Sequence, residues 1–140
     1  MSLSSYLAAK LLDHVHGCGS RNYTPPAHLY IGLSSSTPAP DGTGVTEPVG
    51  GSYARVSSAG TDWASAVVAN PSSVQNATVL TFPTPTLDWL GGVNLVYFVV
   101  YDAPTGGNLL FYGALANPKA VHNGDGAPSF AIAGLLEYLQ

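Results

Sequence analysis

Residues 93–115 constrain the fold more than any other part of the chain. Leu95-Val96-Tyr97-Phe98-Val99-Val100-Tyr101 is an unbroken run of aromatic, β-branched and leucine side chains. Asp102-Ala103-Pro104-Thr105-Gly106-Gly107 is a cluster of turn formers, and Asn108-Leu109-Leu110-Phe111-Tyr112-Gly113-Ala114-Leu115 is a second apolar run. Two such runs about a turn cluster predict a β-hairpin. Neither run alternates apolar with polar residues, so neither leaves a face for water, and the hairpin belongs in the middle of the fold with both sides covered. Tyr97, Val99, Leu110 and Phe111 are its candidate core residues.

The rest of the chain has to supply that cover, and most of it reads as short strands between turns. Residues 27–33 form one strand, with Leu29 and Ile31 facing inward, and residues 52–56 form another, with Tyr53. Residues 74–82 form a third, ending at Phe82 and closed by Pro83 and Pro85. Trp89 joins the core list. Residues 129–139, with Phe130 and Ile132, read as a final strand, a C-terminal helix there being the open alternative. Residues 34–51 are rich in Ser, Thr, Pro and Gly and too long for a turn, so they form an excursion loop. Ahead of all this, Leu3, Leu7, Leu11 and Val15 recur every fourth residue, with Tyr6 and Leu12 widening the stripe. That spacing predicts a helix over 3–16, capped by Ser2 or Ser4 and ended by Gly17. There is no internal repeat. The expected fold is all-β, a β-sandwich or jelly roll with one N-terminal α-helix, in one domain over 1–140 with the sandwich over 27–140.

Charge narrows the function. Lys and Arg number four and Asp and Glu eight among 140 residues, and charged residues make up 9% where about 25% is usual. A free monomer normally keeps itself soluble with interspersed charge. A surface this poor in it is suited to facing other protein chains. The net charge is −4, and Lys10, Arg21, Arg55 and Lys119 are scattered, so no phosphate-binding track can form and no nucleic-acid partner is expected. No apolar run reaches the 18 residues of a membrane span, and the first residues lack the basic start of a signal peptide. The chain is expected to be made and kept in a cytoplasm until it assembles. Cys18 is the single cysteine, so no disulfide within the chain is available.

Catalytic and metal chemistry find little support. His14, His16 and Cys18 follow Asp13, but residues two apart point about 200° from each other on a helix, and no second cluster completes a ligand set. Asp41 and Asp125 sit in Asp-Gly pairs, which are turn chemistry. No Gly-x-Ser-x-Gly motif occurs, the Gly91-Gly92 and Gly106-Gly107 pairs lack the Lys of a phosphate loop, and nothing singles out a carboxylate pair for glycoside hydrolysis. Asn22-Tyr23-Thr24 and Asn76-Ala77-Thr78 match the glycosylation triplet without a secretory signal. Tyr30, Tyr53, Trp63, Trp89, Tyr97, Tyr101 and Tyr112 could line a sugar-binding groove, but in strands such residues more often form core and interface. No enzyme, cofactor or metal is expected.

Several segments together resemble a group of small tailed-bacteriophage virion structural proteins, often labelled tail-fibre proteins. They are Thr24-Pro25-Pro26-Ala27-His28-Leu29-Tyr30-Ile31-Gly32-Leu33, Gly50-Gly51-Ser52-Tyr53-Ala54-Arg55-Val56, Phe82-Pro83 with Asp88-Trp89, residues 106–115, Pro118-Lys119 and Gly124-Asp125. The resemblance implies a virion part and no catalytic residues. Since the chain has no shaft sequence and no separate tip domain, the expected role is a capsid cement or decoration protein. It would clamp neighbouring major capsid subunits, with the major capsid protein, copies of itself and other virion proteins as partners. The alternative is a tail or tail-fibre component that binds a host surface glycan, with a polysaccharide hydrolase more remote. The expected contact residues lie on the helix (Leu3, Tyr6, Leu7, Leu11) and on the excursion loop (Pro38, Pro40, Val45, Pro48, Val49), neither of which a sandwich needs for completion.

Overall fold

The computed structural model describes residues 1–19 and 23–139. Arg21 and Asn22, the latter opening the first glycosylation triplet, lie outside the described residues. Along the chain run β1 (Ser2–Leu3), α1 (Ser5–His16), β2 (His28–Ser34), β3 (Val56–Ala59), β4 (Ser72–Gln75), β5 (Leu80–Thr81), β6 (Leu95–Tyr101), β7 (Leu109–Lys119), β8 (Ser129–Phe130) and β9 (Leu136–Leu139). The fold is all-β with one N-terminal helix. Five strands make an antiparallel sheet in the order β1-β7-β6-β2-β3, and the pairs β4-β9 and β5-β8 make two further ribbons.

The hairpin β6–β7 lies inside this sheet, with β2 on its other flank. Alternation along the strands sorts side chains between two faces. Phe98 and Val100 stand opposite Leu33 and Ile31 across the β2–β6 ladder, and these four share a buried cluster with Leu80, Phe82, Trp89, Leu95, Val121 and Leu135. Aromatic rings knit that cluster together. Tyr53 meets Trp89 edge-on at 5.1 Å, and Phe82 contacts Tyr53, Trp89 and Phe130 at 6.2–6.3 Å. Val99 and Tyr101 turn to the opposite face, where they cluster with Leu109 and with Tyr30, Val45 and Tyr112 packed against them. The turn between β6 and β7 is closed by the Asp102 carboxylate, which accepts from the Asn108 backbone N–H and side-chain amide, both at 2.7 Å.

Several boundaries differ from the sequence reading, each for a physical reason. The helix begins at Ser5 because Leu3 is drawn into β1, opposite Phe111, and Ser4 then caps the helix by accepting from Leu7 N–H at 3.2 Å. Gly17, at φ 65°, ends it. Ladder pairing of β3 starts only at Val56, because the Tyr53 ring swings inward to the aromatic cluster and its hydroxyl takes the Leu33 N–H at 2.9 Å in place of a strand partner. Neither one strand nor one helix forms over 129–139. Buried Asn76 accepts from Leu135 N–H at 2.8 Å and donates to the Ala131 carbonyl at 2.7 Å, folding 131–135 into a turn with Ala133 at φ 58°. Ile132, expected in the core, is consequently 61% exposed on that turn. Among the other core candidates, Ile31, Phe82, Trp89, Val99 and Leu110 are buried, while Leu29, Tyr53, Tyr97, Phe111 and Phe130 are half-buried.

The excursion loop is part of the fold and not an appendage. Pro38 and Pro48 are buried, and Val45 packs on the Val99–Tyr101–Leu109 cluster. Against the expectation that a sandwich needs nothing from residues 34–51, part of this loop covers the second face of the sheet.

Candidate assembly surface

A buried ion pair fixes the loop over that second face. Arg55 Nη2 donates to Glu47 Oε2 at 2.6 Å, and Nε donates to both carboxylate oxygens at 3.1 and 3.2 Å. Arg55 Nη1 reaches the carbonyls of Ala103 and Gly106 in the hairpin turn at 2.9 and 2.8 Å. The guanidinium lies 3.5 Å over the Tyr101 ring. Only 8% of the Arg55 side chain and 18% of Glu47 meet solvent. The Tyr53 hydroxyl completes the cluster by donating to Glu47 Oε1 at 2.7 Å, and burial together with that carboxylate pushes its pKa up. The carboxylate occupies the space a Cβ at position 32 would need, so Gly32 permits its approach. Arginine suits this place because its planar fork can serve a carboxylate and two carbonyls while stacking on a ring. With every group spent on another, the cluster is a fastener and offers nothing to a substrate.

The aromatics weighed as a sugar platform are also spent internally. Trp89 and Tyr101 are buried, Tyr53 stands in the aromatic cluster, and Trp63 donates Nε1 to Ser58 Oγ at 3.1 Å. Tyr30 and Tyr112 pack against the Val99–Tyr101–Leu109 cluster, and Tyr97 is half-buried. The exposed aromatic rings among the described residues are Tyr6 and Tyr138. Asp41 accepts from the backbone and hydroxyl of Thr43, and Asp125 accepts from His122 N–H, so both act as turn residues. No group of three His, Cys, Asp or Glu converges to hold a metal among the described residues.

The fold also turns large apolar side chains outward. The accessible surface is 7460 Å², more than the roughly 6,800 Å² usual for a monomer of this mass. Leu7 of α1 is buried against the chain itself, so it cannot serve as a contact residue, and the same is true of Pro38 and Pro48. Leu3 and Leu11 are half-buried, and Tyr6, Pro40 and Val49 are exposed. The helix therefore seats only its first two turns, leaving Leu12 and Val15 exposed beyond them. Leu11 and Phe111 stand between two apolar grooves. One, about 310 Å³, runs under Tyr23, Pro25 and Pro26 to Trp63, and the other, about 220 Å³, runs between α1 and the β4–β9 ribbon. Tyr138 and Leu139 line the second groove, as does Ala66, which is followed by exposed Val67 and Val68. The sequence reading names residues on the helix side of this surface and none on the ribbon side. A larger groove, about 520 Å³, lies elsewhere, between Leu115, Asn117 and Lys119 of β7 and residues 126–130.

No helix among the described residues is long and apolar enough to cross a membrane. No curated protein matches the chain. A family model described as Podophage GP4 fiber I protein gp80 matches residues 2–136, nearly the whole sequence and all the elements from β1 to the start of β9. This chain belongs to that family of phage fibre proteins.

Proposed function

We propose that the protein is a structural component of a bacteriophage tail fibre, joined to neighbouring virion chains through the apolar side formed by α1 and the β4–β9 ribbon. The observation that carries this reading is the division of apolar residues. Both faces of the central sheet are closed by the chain's own segments, yet Leu12, Val15, Val67, Val68, Tyr138 and Leu139 remain outside. An apolar surface of this kind, with few charges nearby, marks a protein contact. The family description supports a fibre over a capsid clamp, and the internal use of the aromatic rings supports assembly over glycan binding. Nothing in the geometry favours hydrolysis.

Gold-labelled antibody against the protein, viewed on intact virions, tests the location. Label clustered at the tail is the expected result. Label spread over the head would overturn the fibre reading and restore the cement role. A second measurement tests the surface: Val15→Asp with Leu139→Asp should leave a folded protein that no longer enters particles. Normal incorporation of that variant would remove the assembly role from this side.

A further inference from the structure

The groove between α1 and the β4–β9 ribbon has a mostly apolar lining in which Ser72 and Ser73 are joined by one acidic side chain, and that one is unusual. Glu137 is paired with Val74 across the ribbon and shares its inward face with Leu135. It is 5% exposed, and its Oε1 has no hydrogen-bond partner. Around it stand Leu3, Leu11, Val74, Phe111 and Leu139. Among the described residues no cation lies within ion-pair distance of it, and the Met1 α-amine is the one charge that acts on it, weakly opposing the effect of burial. Burial pushes its pKa up to about 7. A buried carboxyl without a partner is costly to keep, and it becomes favourable once a donor or cation is delivered to it.

From this geometry we infer that the groove is a docking site for an apolar segment of a different protein that carries a lysine or arginine, whose charged end meets Glu137. Charge complementarity selects the occupant: the lining is mostly apolar and its one charged side chain is acidic. Among the described residues, a second copy of this chain is a poor source of that cation. Arg55 is consumed in the loop fastener, Lys10 lies by the Tyr6 ring, and Lys119 lines a different groove. Two copies each at −4 also repel. That the occupant is a virion chain rests on the assembly reading above. The recognition chemistry does not, and the experiment tests the chemistry alone.

The probe is n-hexylammonium, an apolar chain with one cationic end, with 1-hexanol as its uncharged counterpart. Binding is followed through the methyl and ring NMR signals of Leu3, Leu11, Phe111 and Leu139. At pH 8 the ammonium should saturate those signals about tenfold more tightly than the alcohol, the ratio that one charge-assisted hydrogen bond supplies. The preference should vanish in Glu137→Gln, and it should vanish in the unmodified protein at pH 5, a comparison that needs no variant to fold. Equal binding of the two probes at pH 8, or a preference that survives both changes, overturns the inference. Sedimentation of the unmodified protein and Glu137→Gln at micromolar concentration covers the remaining occupant. Self-association that depends on Glu137 would give the groove to a second copy and overturn the choice of a foreign chain, whereas a monomer in both is the expected result. Normal tail labelling alongside failed probe binding would defeat this inference and leave the fibre reading intact.

Discussion

Replacing Arg55 by Met removes the guanidinium, and with it the stacking on Tyr101, but keeps most of the hydrocarbon stem. The loss can be worked from the contacts. Glu47, 18% exposed, is left with the Tyr53 hydroxyl as its remaining side-chain partner, and the Ala103 and Gly106 carbonyls lose their donor. Removing one member of a buried, hydrogen-bonded ion pair costs about 3–5 kcal/mol. The margin of a whole domain is about 5–15 kcal/mol. For a chain of this length 1 kcal/mol is worth about 3 °C in Tm, so the midpoint should fall by about 10–15 °C. Urea titration and calorimetry at pH 7 measure this directly. The double variant Arg55→Met with Glu47→Gln tests the cause, because it removes the stranded charge as well. It should be clearly more stable than the sum of the two single changes predicts. A loss below 1 kcal/mol for Arg55→Met, or strict additivity in the double variant, would refute the argument that this pair holds the loop on the sheet.

Glu137→Gln should make stability less sensitive to pH. The folded carboxyl keeps its proton up to about pH 7, whereas in the unfolded chain it releases it near 4.5. The native state therefore binds the extra proton between those values, and stability falls as pH rises through that window. The loss is complete above about pH 7 and amounts to about 3 kcal/mol. Gln should match Glu near pH 4 and exceed it by up to that amount at pH 8, as read by urea midpoints across the range; parallel pH profiles would show that the carboxyl is solvated. Leu110→Ala, at a fully buried position of β7, should cost about 2–5 kcal/mol in the same assay. Deleting residues 35–49 with a short Gly bridge should yield an unfolded or molten chain, seen as collapsed NMR dispersion, because it uncovers Val99, Tyr101 and Leu109. A well-dispersed spectrum from that deletion would show that the loop is dispensable.

The parts of the fold that could be read from the sequence are those whose cause is local. The central hairpin was legible because both apolar runs and the turn between them lie within 23 consecutive residues. The helix was legible because its stripe repeats every fourth residue and Ser4 and Gly17 mark its ends. Side chains that act at a distance were not legible. Asn76 dictates the path of residues 131–135 from more than fifty positions away, so Ile132 looked like one more inward residue of an alternating strand. Arg55 belongs to a strand-like segment, and nothing near it in sequence shows that it will reach the Ala103 and Gly106 carbonyls. Glu137 sits in Leu135-Leu136-Glu137-Tyr138-Leu139, where an acidic residue would ordinarily be assigned to the water-facing side. The available signal was its two-residue spacing from Leu135 on a strand, which places both on the same face.

The Tyr53 hydroxyl at Leu33 N–H has a consequence for how copies of the chain behave when crowded together in an infected cell. An open strand edge recruits any other strand, at any register, and growth of that kind does not stop. Here the outer edge of β2 beyond Val56 is occupied by a phenol, and Asp62 takes the Ala59 N–H at the far end of β3 at 2.8 Å. At both places the backbone donor that would begin runaway pairing is engaged by a side chain from the same molecule. At these two places contact between copies or with other chains is left to side-chain surfaces, which have shape and saturate.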